Sequence, residues 1–546
     1  MAFDSTSAIQ DWRQLIEISL TGKTVRYSRD PVTLTDGTYY DDRLIGISSM
    51  TLSAGQLLDP RFTLPSLSMV LDNADGTIST LLDGYTFANR TVTVKVGQGT
   101  TASDYDTVFV GSVVFPSGIQ MDETQVTIDA DDDRMKDQKV LPTNNFFKTT
   151  YANVETKSEN LAIPIVYGDW RTSAGGGEKV PCYCINTSTK TFKIASHAIK
   201  QIEAVYKDGS AITPSSTDLT NAEFVISDAY DPDVNTITAN IQGATHNGSS
   251  SGTLLETLPD ITNDILQTHL SVSSGSIDSA AFTAWGDNLE TVKARRHISA
   301  EISSNTLISE ALIEGFADLI IDGGKYTPRF RILGTSGIDQ YRDFDLTDKS
   351  KGTKEFSVQN DPQRVTLNQV VSNYRYDPSQ GKYTQRFDAE DSASIADLET
   401  TRRRRLNFNW LYLDTDAQTR ATRELLAFST EVEMVGVGVG PRSLTKKPMD
   451  QFRLQFNKFV DGSGESGFGT PFQVRDITID FGKMNSVIRA WNINTLVSGR
   501  WTTATAPNWT SSTHGQRLDQ GFWTDNNGFA DPSGSPDASS KRSRWF

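Results

Sequence analysis

The chain has 546 residues and a mass of 60.1 kDa, more than one hydrophobic core usually serves, so we expect three to five domains. Its net charge of −16 and pI near 4.9 disfavour a protein that grips nucleic acid, because such proteins neutralise phosphates with Lys and Arg. No apolar run approaches the roughly 18 residues that cross a bilayer, and the first residues lack a secretory pattern. We therefore expect no membrane insertion.

Residues 1–150 carry short runs typical of β-strands. Apolar and polar residues alternate at 16–20, and a hairpin signal, Asp36-Gly37, follows. This region is predicted to form an antiparallel barrel or sandwich. Further runs that are rich in β-branched residues lie at 90–97, 107–115 and 124–130.

The predicted secondary structure changes once within the middle of the chain. Residues 151–255 remain β-like and are predicted to form a β-rich insertion domain. Residues 256–345 are predicted to form a small α+β domain, because Ile308, Leu312, Phe316 and Leu319 recur there at helical spacing, with Gly323-Gly324 as the predicted end of that helix.

The strand pattern returns in residues 346–500, which we expect to form a second β domain with a helix after Asp414. Residues 501–546 combine Thr, Ser, Asn, Gly and Pro with spaced aromatic residues, a composition that leaves little means of burying those rings within the segment. We predict an extended C-terminal arm that docks on a neighbouring subunit or protein. Its docking residues are Trp501, Trp509, Phe522, Trp523, Phe529, Trp545 and Phe546.

The candidate catalytic and metal-binding motifs in the sequence lack the residue spacing that those sites require. Asp129, Asp131 and Asp133 alternate as in a calcium loop, but Arg134 stands where an EF-hand needs Gly. Ser466 lacks the second Gly of a GxSxG elbow. Paired carboxylates for glycoside hydrolysis remain open, because the sequence gives no distances. We expect no enzyme, no cofactor and no metal site.

Two further motifs have a functional and a structural interpretation. Cys182 and Cys184 are half of a metal site or two ordinary thiols in a loop or strand, and the second is favoured because the chain has no other cysteine. The basic run Arg402–Arg405 either contacts phosphate or lies on a solvated strand or turn that pairs with carboxylates. The strand or turn is favoured in so acidic a chain.

Several segments resemble the hub proteins of bacteriophage tail tips and baseplates. In the first, a strand ends in an Asn-x-Asp-Gly turn and precedes a strand–Gly–strand pair. The next resembles the small helical insertion of those hubs, and the third resembles their second tube-like domain. The C-terminal stretch is similar to the tail-tip proteins of siphophages. The segments are 52–80 with 108–142, 258–270 with 305–333, 366–383 with 415–441, and 521–546.

The resemblance implies a mainly β (α+β) fold with two tail-tube-like antiparallel β-barrels. It implies a homotrimeric structural hub that caps the tail tube, anchors tip and fibre proteins and forms part of the channel for DNA. The implied partners are a distal tail protein, the tail tube, a tape measure protein and tail fibre or central tip proteins, with genomic DNA only in transit. The implied location is the tail tip of the virion, after assembly in the host cytoplasm.

Some tail-tip proteins of siphophages hold an iron–sulfur site near the C-terminus. This chain has no cysteine there, so the cofactor is not carried over. Two other functions remain open: a receptor- or carbohydrate-binding tail protein that contacts the host surface, and a cell-wall hydrolase. An acidic channel would repel DNA and let it pass, which agrees with the hub.

Overall fold

The computed structural model describes residues 12–53, 65–132, 139–175, 177–289, 291–330, 339–350, 353–360, 367–428, 433–456 and 470–492, together with two short C-terminal strands. The chain is mainly β, as predicted. None of the helices within these ranges is long and apolar enough to cross a membrane. The helices are α1 (Thr77–Gly84), α2 (Leu258–Asp264), α3 (Ser279–Leu289), α4 (Ser304–Glu314), α5 (Ser392–Leu398) and α6 (Asp414–Phe428).

The strands are short and are given in chain order. Those of the N-terminal part are β1 (Arg13–Leu20), β2 (Lys23–Ser28), β3 (Val32–Thr33), β4 (Tyr39–Tyr40), β5 (Leu44–Ile47), β6 (Met50–Ser53), β7 (Ser66–Asp72), β8 (Thr91–Gly97), β9 (Tyr105–Val113), β10 (Ile119–Met121), β11 (Gln125–Asp132) and β12 (Val140–Leu141). Those of the middle part are β13 (Ile165–Tyr167), β14 (Val180–Pro181), β15 (Tyr183–Asn186), β16 (Thr191–Lys193), β17 (Gln201–Lys207), β18 (Ser210–Ile212), β19 (Pro214–Asp218), β20 (Glu223–Ile226), β21 (Ile237–Gln242), β22 (Arg296–Ile298), β23 (Ile302–Ser303), β24 (Ala317–Asp322) and β25 (Lys325–Phe330). Those of the C-terminal part are β26 (Asp339–Arg342), β27 (Asp348–Ser350), β28 (Thr353–Lys354), β29 (Phe356–Asn360), β30 (Gln369–Asp377), β31 (Lys382–Glu390), β32 (Arg403–Asn407), β33 (Glu433–Val439), β34 (Gln451–Gln455), β35 (Thr470–Asp480), β36 (Asn485–Asn492), β37 (Phe522–Trp523) and β38 (Ser543–Arg544).

The first sheet is antiparallel and follows the order β2–β1–β8–β9–β11–β7–β5, with β10 added to β11. Its strands alternate between an apolar and a polar face: on β8, Val92, Val94 and Val96 are buried, and the residues between them are partly exposed. This period of two buries one face of the sheet.

The two edges of this sheet approach each other just before β5. The amide of Asp41 donates to the carbonyl of Arg26 at 3.0 Å, and the amide of Ser28 donates to the carbonyl of Asp41 at 2.8 Å. The first sheet therefore curls into a partly closed barrel.

The Asn-x-Asp-Gly motif builds a corner of this barrel, between β7 and α1. The side-chain oxygen of Asn73 accepts a hydrogen bond from the amide of Ile78 at 2.9 Å, near the start of the helix. Asp75 forms an ion pair with Arg43 at 2.7 Å, and Gly76 adopts a φ of 70°. Each residue of the motif thus holds the turn from strand to helix.

The second sheet follows the order β26–β34–β35–β36–β33–β29, and β6 pairs with the end of β35. The β26–β34 pair is parallel, and the other pairs are antiparallel. Because β6 comes directly after β5 of the first sheet, the chain passes from the first sheet into the second at this point and joins them. They share one apolar core, in which Met69 and Ile128 of the first sheet belong to the same cluster as Val437 and Ile488 of the second. We call this unit the double-sheet body.

A second unit, the insertion module (residues 145–242), contains two four-stranded sheets, β14–β21–β17–β18 and β15–β16–β20–β19. Its core is apolar and includes Phe192, Phe224 and Ile241. The rings of Phe192 and Phe224 stack with their centroids 5.4 Å apart.

A third unit, the helical module, packs α2, α3, α4 and the β24–β25 hairpin against the β31–β30–β32 sheet and α6. Ala417 and Ala421 of α6 are buried there, as the helical spacing after Asp414 predicts. The region predicted as one domain, 346–500, thus contributes strands both to this module and to the double-sheet body.

The helix predicted from the stripe Ile308, Leu312, Phe316 and Leu319, with Gly323-Gly324 as its end, is shorter than predicted. Its predicted last part forms strand β24 instead. Helix α4 ends at Glu314, and Phe316 follows with a φ of 55°. The indole of Trp285 packs against Gly315 so closely that a Cβ there would lie 2.5 Å from the ring, and the Trp285 side chain donates to the Gly315 carbonyl at 2.8 Å. This tertiary contact accompanies the turn from helix to strand.

Candidate functional site

A groove with a volume of about 570 Å³ runs between the insertion module and the turn that joins β30 to β31. One wall consists of the segment 155–161 and Tyr230, and the opposite wall is the turn 377–380. Strand residues including Tyr183 line the space between them. The size falls within the range of about 300–1,000 Å³ that is typical of small-ligand sites.

The first wall is fastened by the buried carboxylate of Glu155. One of its oxygens accepts from the hydroxyl of Ser158 at 2.5 Å and from the amide of Cys184 at 3.2 Å. The other oxygen accepts from the hydroxyl of Tyr230 and lies 3.5 Å from the ammonium of Lys157. Both oxygens of this carboxylate are therefore engaged by the protein.

The turn of the second wall is fastened in the same way by Asp377, which is also buried. One oxygen of its carboxylate accepts from the amide and the hydroxyl of Ser379, at 2.9 and 2.6 Å. The other accepts from the side-chain amide of Gln380 at 2.7 Å. Such Asx-type bonding fixes the backbone of the turn.

The remaining charged groups that line the groove are the ammoniums of Lys157 and Lys179. The side chain of Lys157 is 47% exposed and donates one hydrogen bond to the carbonyl of Asn235 at 2.9 Å. The ammonium of Lys179 lies 3.4 Å from the centre of the Tyr206 ring. The Lys157 ammonium is thus shared between the Asn235 carbonyl and the Glu155 carboxylate, and the Lys179 ammonium contacts a ring outside the residues that line the groove.

A buried arginine joins the insertion module to the helical module. Arg295 forms an ion pair with Glu178 at 2.6 Å, and its guanidinium lies between the rings of Trp170 and Tyr412, at 4.5 and 4.2 Å from their centres. Glu178 also accepts from the hydroxyl of Thr384 at 2.9 Å. Burial lowers the pKa of Arg295 and the partner carboxylate opposes this. The pair holds β31 next to the insertion module.

A second buried acid holds the loop before α6. The carboxylate of Glu314 accepts from the backbone amides of Asn409, Trp410 and Leu411 at 2.7, 3.0 and 2.9 Å. Burial raises the pKa of Glu314 to about 7, although the three amides oppose the shift. This arrangement positions the segment that carries Tyr412.

Histidines lie at the contact between β13 and the π-helical turn that continues α2. The hydroxyl of Tyr167 donates to Asp264 at 2.7 Å and lies 3.1 Å from a ring nitrogen of His269. His197 accepts from the amide of Val166 at 2.9 Å. Burial lowers the pKa of both His197 and His269. Both rings therefore favour the neutral form.

The cysteines and the basic run have structural roles. Cys182 and Cys184 are two buried free thiols in the insertion module, and burial raises the pKa of Cys184 to about 12. In the basic run, Arg403 donates to Gln369 at 2.5 Å and Arg404 lies 3.8 Å from Glu424. Arg403, Arg404 and Arg405 lie on β32 and Arg402 precedes it, in agreement with the strand-or-turn interpretation.

Asp129, Asp131 and Asp132 of the acidic run lie at the end of β11. Burial and the neighbouring carboxylates of Asp129 and Asp132 raise the pKa of Asp131. Asp133 lies outside the described residues. Within the described ranges, no group of three or more His, Cys, Asp or Glu side chains is arranged to hold a metal ion.

Most of the aromatic residues that are predicted to dock the arm lie outside the described residues. Phe522 and Trp523 are described only as β37, whose backbone pairs with β38. The arm remains a prediction. The residues outside the described ranges are Trp501, Trp509, Phe529, Trp545 and Phe546.

The sequence pattern did not indicate the groove, the buried arginine or the buried Glu314. Glu178 and Arg295 are separated by 117 positions, and Thr384 lies 206 positions from Glu178. No local signal marks such pairs, although an isolated Glu or Arg within an apolar segment is a hint of a buried partner.

No protein-family model matches the chain, and no curated protein matches it. Several solved structures align with this chain over most of its length. The tail protein from Neisseria meningitidis MC58 aligns with a TM-score of 0.39 and 7% identity, over 88% of this chain and 97% of that one. The 43 kDa tail protein of prophage MuSo2 from Shewanella oneidensis aligns with a TM-score of 0.36 and 10% identity, over 89% and 99%. A prophage tail protein from Listeria monocytogenes EGD-e aligns with a TM-score of 0.37 and 9% identity, over 87% and 94%.

Proposed function

We propose that this chain is a structural protein of a phage tail tip or baseplate, a hub that caps the tail tube and anchors tip and fibre proteins. One observation carries the proposal. The Asn-x-Asp-Gly motif, on which the resemblance to tail hubs rests, builds the corner of a curled sheet through Asn73 and Asp75, and that sheet shares its core with a second sheet.

The double-sheet body suits this role because its halves cannot move independently. Strand β6 belongs to the second sheet by its hydrogen bonds and to the first by its place in the chain. Separating the sheets would expose one continuous apolar core, at a cost of roughly 25 cal/mol per Å². A rigid block of this kind can support neighbours on several sides.

The finer parts of the proposal concern assembly. The hub forms a homotrimer about the tail axis, with two sheets per chain facing the tube, and DNA passes through an acidic channel without binding. Residues 501–546 dock on a neighbouring subunit or protein through their aromatic side chains. The partners are the distal tail protein, the tail tube, the tape measure protein and fibre or central tip proteins, and the chain acts without catalysis.

A nonsense mutation in the gene tests the central role. We expect particles with absent or incomplete tails, restored when the chain is supplied in trans, and antibody labelling at the tail tip of the restored particles. Complete infectious particles without the chain would contradict the proposal.

The arm and the trimer have separate tests. Deleting residues 501–546 should leave a folded chain that fails to join tails, whereas a chain without the partly exposed loop residues 247–251 should fold and still join tails. A reconstruction of the tail tip should show three copies of the chain, and any other copy number contradicts the homotrimer.

A second candidate function is a tail protein that contacts sugars on the host surface. The groove beside the insertion module favours it, because a fixed polar space of this size is what a small ligand requires. The two functions are compatible in one chain, since the groove lies outside the double-sheet body.

A further inference from the structure

We propose that the basic and aromatic end of the C-terminal arm, residues 541–546, of one copy of the chain binds to an acidic corner of the curled sheet (residues 41–43, 72–76 and 121–124) on a neighbouring copy. This inference rests on the proposed docking of the arm, and it names the segment that docks and the surface that receives it. The charge of the corner, the apolar side chains exposed beside it and the composition of the arm support the assignment.

The acidic corner lies where β7 ends and where β5 and β11 begin, side by side in the first sheet. The amide of Asp72 donates to the carbonyl of Arg43 at 2.7 Å, and the amide of Asn73 donates to the carbonyl of Thr124 at 2.8 Å. The three segments therefore lie against one another. Besides the guanidinium of Arg43 they carry six carboxylates, those of Asp41, Asp42, Asp72, Asp75, Asp122 and Glu123.

Most of this negative charge is open to a partner. Arg43 forms ion pairs with Asp41 at 2.8 Å and with Asp75 at 2.7 Å. The side chain of Asp75 remains 53% exposed. The carboxylates without an ion pair to Arg43 belong to exposed residues, Asp42, Asp72, Asp122 and Glu123. Such a surface attracts a cationic partner and repels an anionic one.

Apolar side chains are exposed at the same corner. Met121 is 60% exposed, and its sulfur accepts a hydrogen bond from the hydroxyl of Ser79 in α1 at 3.2 Å. Ile45, two positions after Arg43, is 42% exposed. Carboxylates alone would attract any cation, whereas apolar groups beside them favour a partner that also presents apolar side chains.

The end of the arm combines both properties. Three cations lie within four positions and two aromatic residues follow directly, as Lys541, Arg542, Arg544, Trp545 and Phe546. The backbone of β38 pairs with β37, so Phe522 and Trp523 belong to the same hairpin. Guanidinium groups bind carboxylates through paired hydrogen bonds, and aromatic rings bury apolar area. The segment therefore matches the acidic corner in charge and in apolar character.

A neighbouring copy is the expected recipient of the arm. The roughly 50 residues between β36 and Lys541 can span at most roughly 160 Å, which is enough to reach another subunit. A contact between two different surfaces of one kind of chain is heterologous, and its repetition about an axis closes a ring. The contact therefore agrees with the proposed homotrimer.

Sedimentation velocity of the full chain tests the proposal with two complementary variants. The arm variant carries Lys541→Gln, Arg542→Gln and Arg544→Gln. The corner variant carries Asp42→Lys and Glu123→Lys. The other corner carboxylates stay unchanged, because they also accept hydrogen bonds from the backbone or the ion pair of the corner.

We expect the parent chain to self-associate, and each variant by itself to do so at least about tenfold more weakly, since charge-assisted hydrogen bonds are lost. A mixture of the two variants should form a one-to-one complex, because the intact arm of the corner variant meets the intact corner of the arm variant. Raising the salt concentration from about 0.1 to about 0.5 M should weaken this complex.

The control variant, Asp228→Lys with Asp233→Lys, makes the same charge change at exposed residues of the insertion module and should associate like the parent chain. Circular dichroism would first establish that each variant is folded. A mixture of the arm and corner variants that stays monomeric would overturn the proposal, as would a corner variant that associates like the parent chain.

A monomeric parent chain whose two variants nevertheless form a complex would assign the acidic corner to the arm of the same chain, and would overturn the neighbouring copy as its recipient. None of these results bears on the hub role, which the nonsense mutation tests separately.

Discussion

The double-sheet body and the junction between the insertion and helical modules are stabilised by different kinds of contact. The core of the body consists of aliphatic and aromatic side chains drawn from both sheets. The junction contains a buried ion pair, Arg295 with Glu178, a buried acid, Glu314, and buried histidines such as His197.

This difference has consequences for specificity and for sensitivity to conditions. Apolar contacts are non-directional and depend little on pH. A buried ion pair costs desolvation energy and adds little net stability, but it penalises any arrangement that separates the partners. We infer that the core of the body supplies most of the stability, and that the junction fixes how the modules face each other. The following predictions test this contrast.

The largest effect is expected in the body. Phe452 is buried and packs against the rings of Tyr341 and Phe472, at centroid distances of 5.3 and 5.6 Å. Phe452→Ala should lower the free energy of unfolding by about 3–5 kcal/mol, because it leaves a cavity in the core. Denaturant unfolding followed by circular dichroism measures the change. Phe344→Ala, at a side chain that is 67% exposed, is the control and should change little.

Breaking the junction pair should cost somewhat less. Arg295→Met leaves Glu178 buried without its main partner, and we expect a loss of about 3 kcal/mol, at the low end for such changes because Thr384 still donates to Glu178. Hydrogen exchange should increase on both sides of the junction and remain unchanged in the double-sheet body.

Replacing both partners distinguishes the free-energy cost of an unpaired buried charge from the net contribution of the ion pair to stability. The double variant Arg295→Met, Glu178→Met should recover most of the stability, because no charge is left buried alone. If the double variant is as unstable as Arg295→Met, the loss arises from missing contacts with Trp170 and Tyr412 instead.

Glu314→Gln should destabilise the helical module by about 2 kcal/mol. The side-chain NH2 group of the glutamine would face a backbone N–H that donates to the carboxylate in the parent chain, and two donors cannot bond to each other. Faster hydrogen exchange at Trp410 and Leu411 would report the local change. The control is Glu301→Gln, at an exposed position, which should leave exchange unaltered. Equal effects of the two variants would contradict the assigned role of Glu314.

A fall in pH from 6.5 to 5 should weaken the junction more than the body. Burial lowers the pKa of His197 and His269, and lowers that of His297 to about 4. Their unfolded forms bind protons first as the pH falls below about 6.5, so this stability is present above that pH and is lost below it. Hydrogen exchange at pH 7.5 and 5.5 would compare the two regions.

Glu314 works in the opposite direction throughout this range. Its pKa is raised to about 7, so the folded chain binds that proton first as the pH falls. The three histidines all act in the other sense, and we expect a net loss of stability at acid pH. A junction that becomes more stable between pH 6.5 and 5, relative to the body, would contradict the pH prediction.

The sequence by itself determined the local features of this protein. The period-two alternation on strands such as β8 predicts a half-buried sheet because successive side chains point to opposite faces. The helix after Asp414 and the turn at Asn73 were also indicated, since their signals lie within a few positions. The balance of charges favoured a solvated strand or turn for the run Arg402–Arg405, and a strand begins there at Arg403.

Only the tertiary structure decided how these elements meet. It ended α4 at Glu314, where Trp285 packs against the following Gly315. It also placed β6 in the second sheet and brought Glu178 to Arg295 across 117 positions. These outcomes depend on which apolar faces pack together and on which buried charges find partners, and neither is encoded by the spacing of residues along the chain.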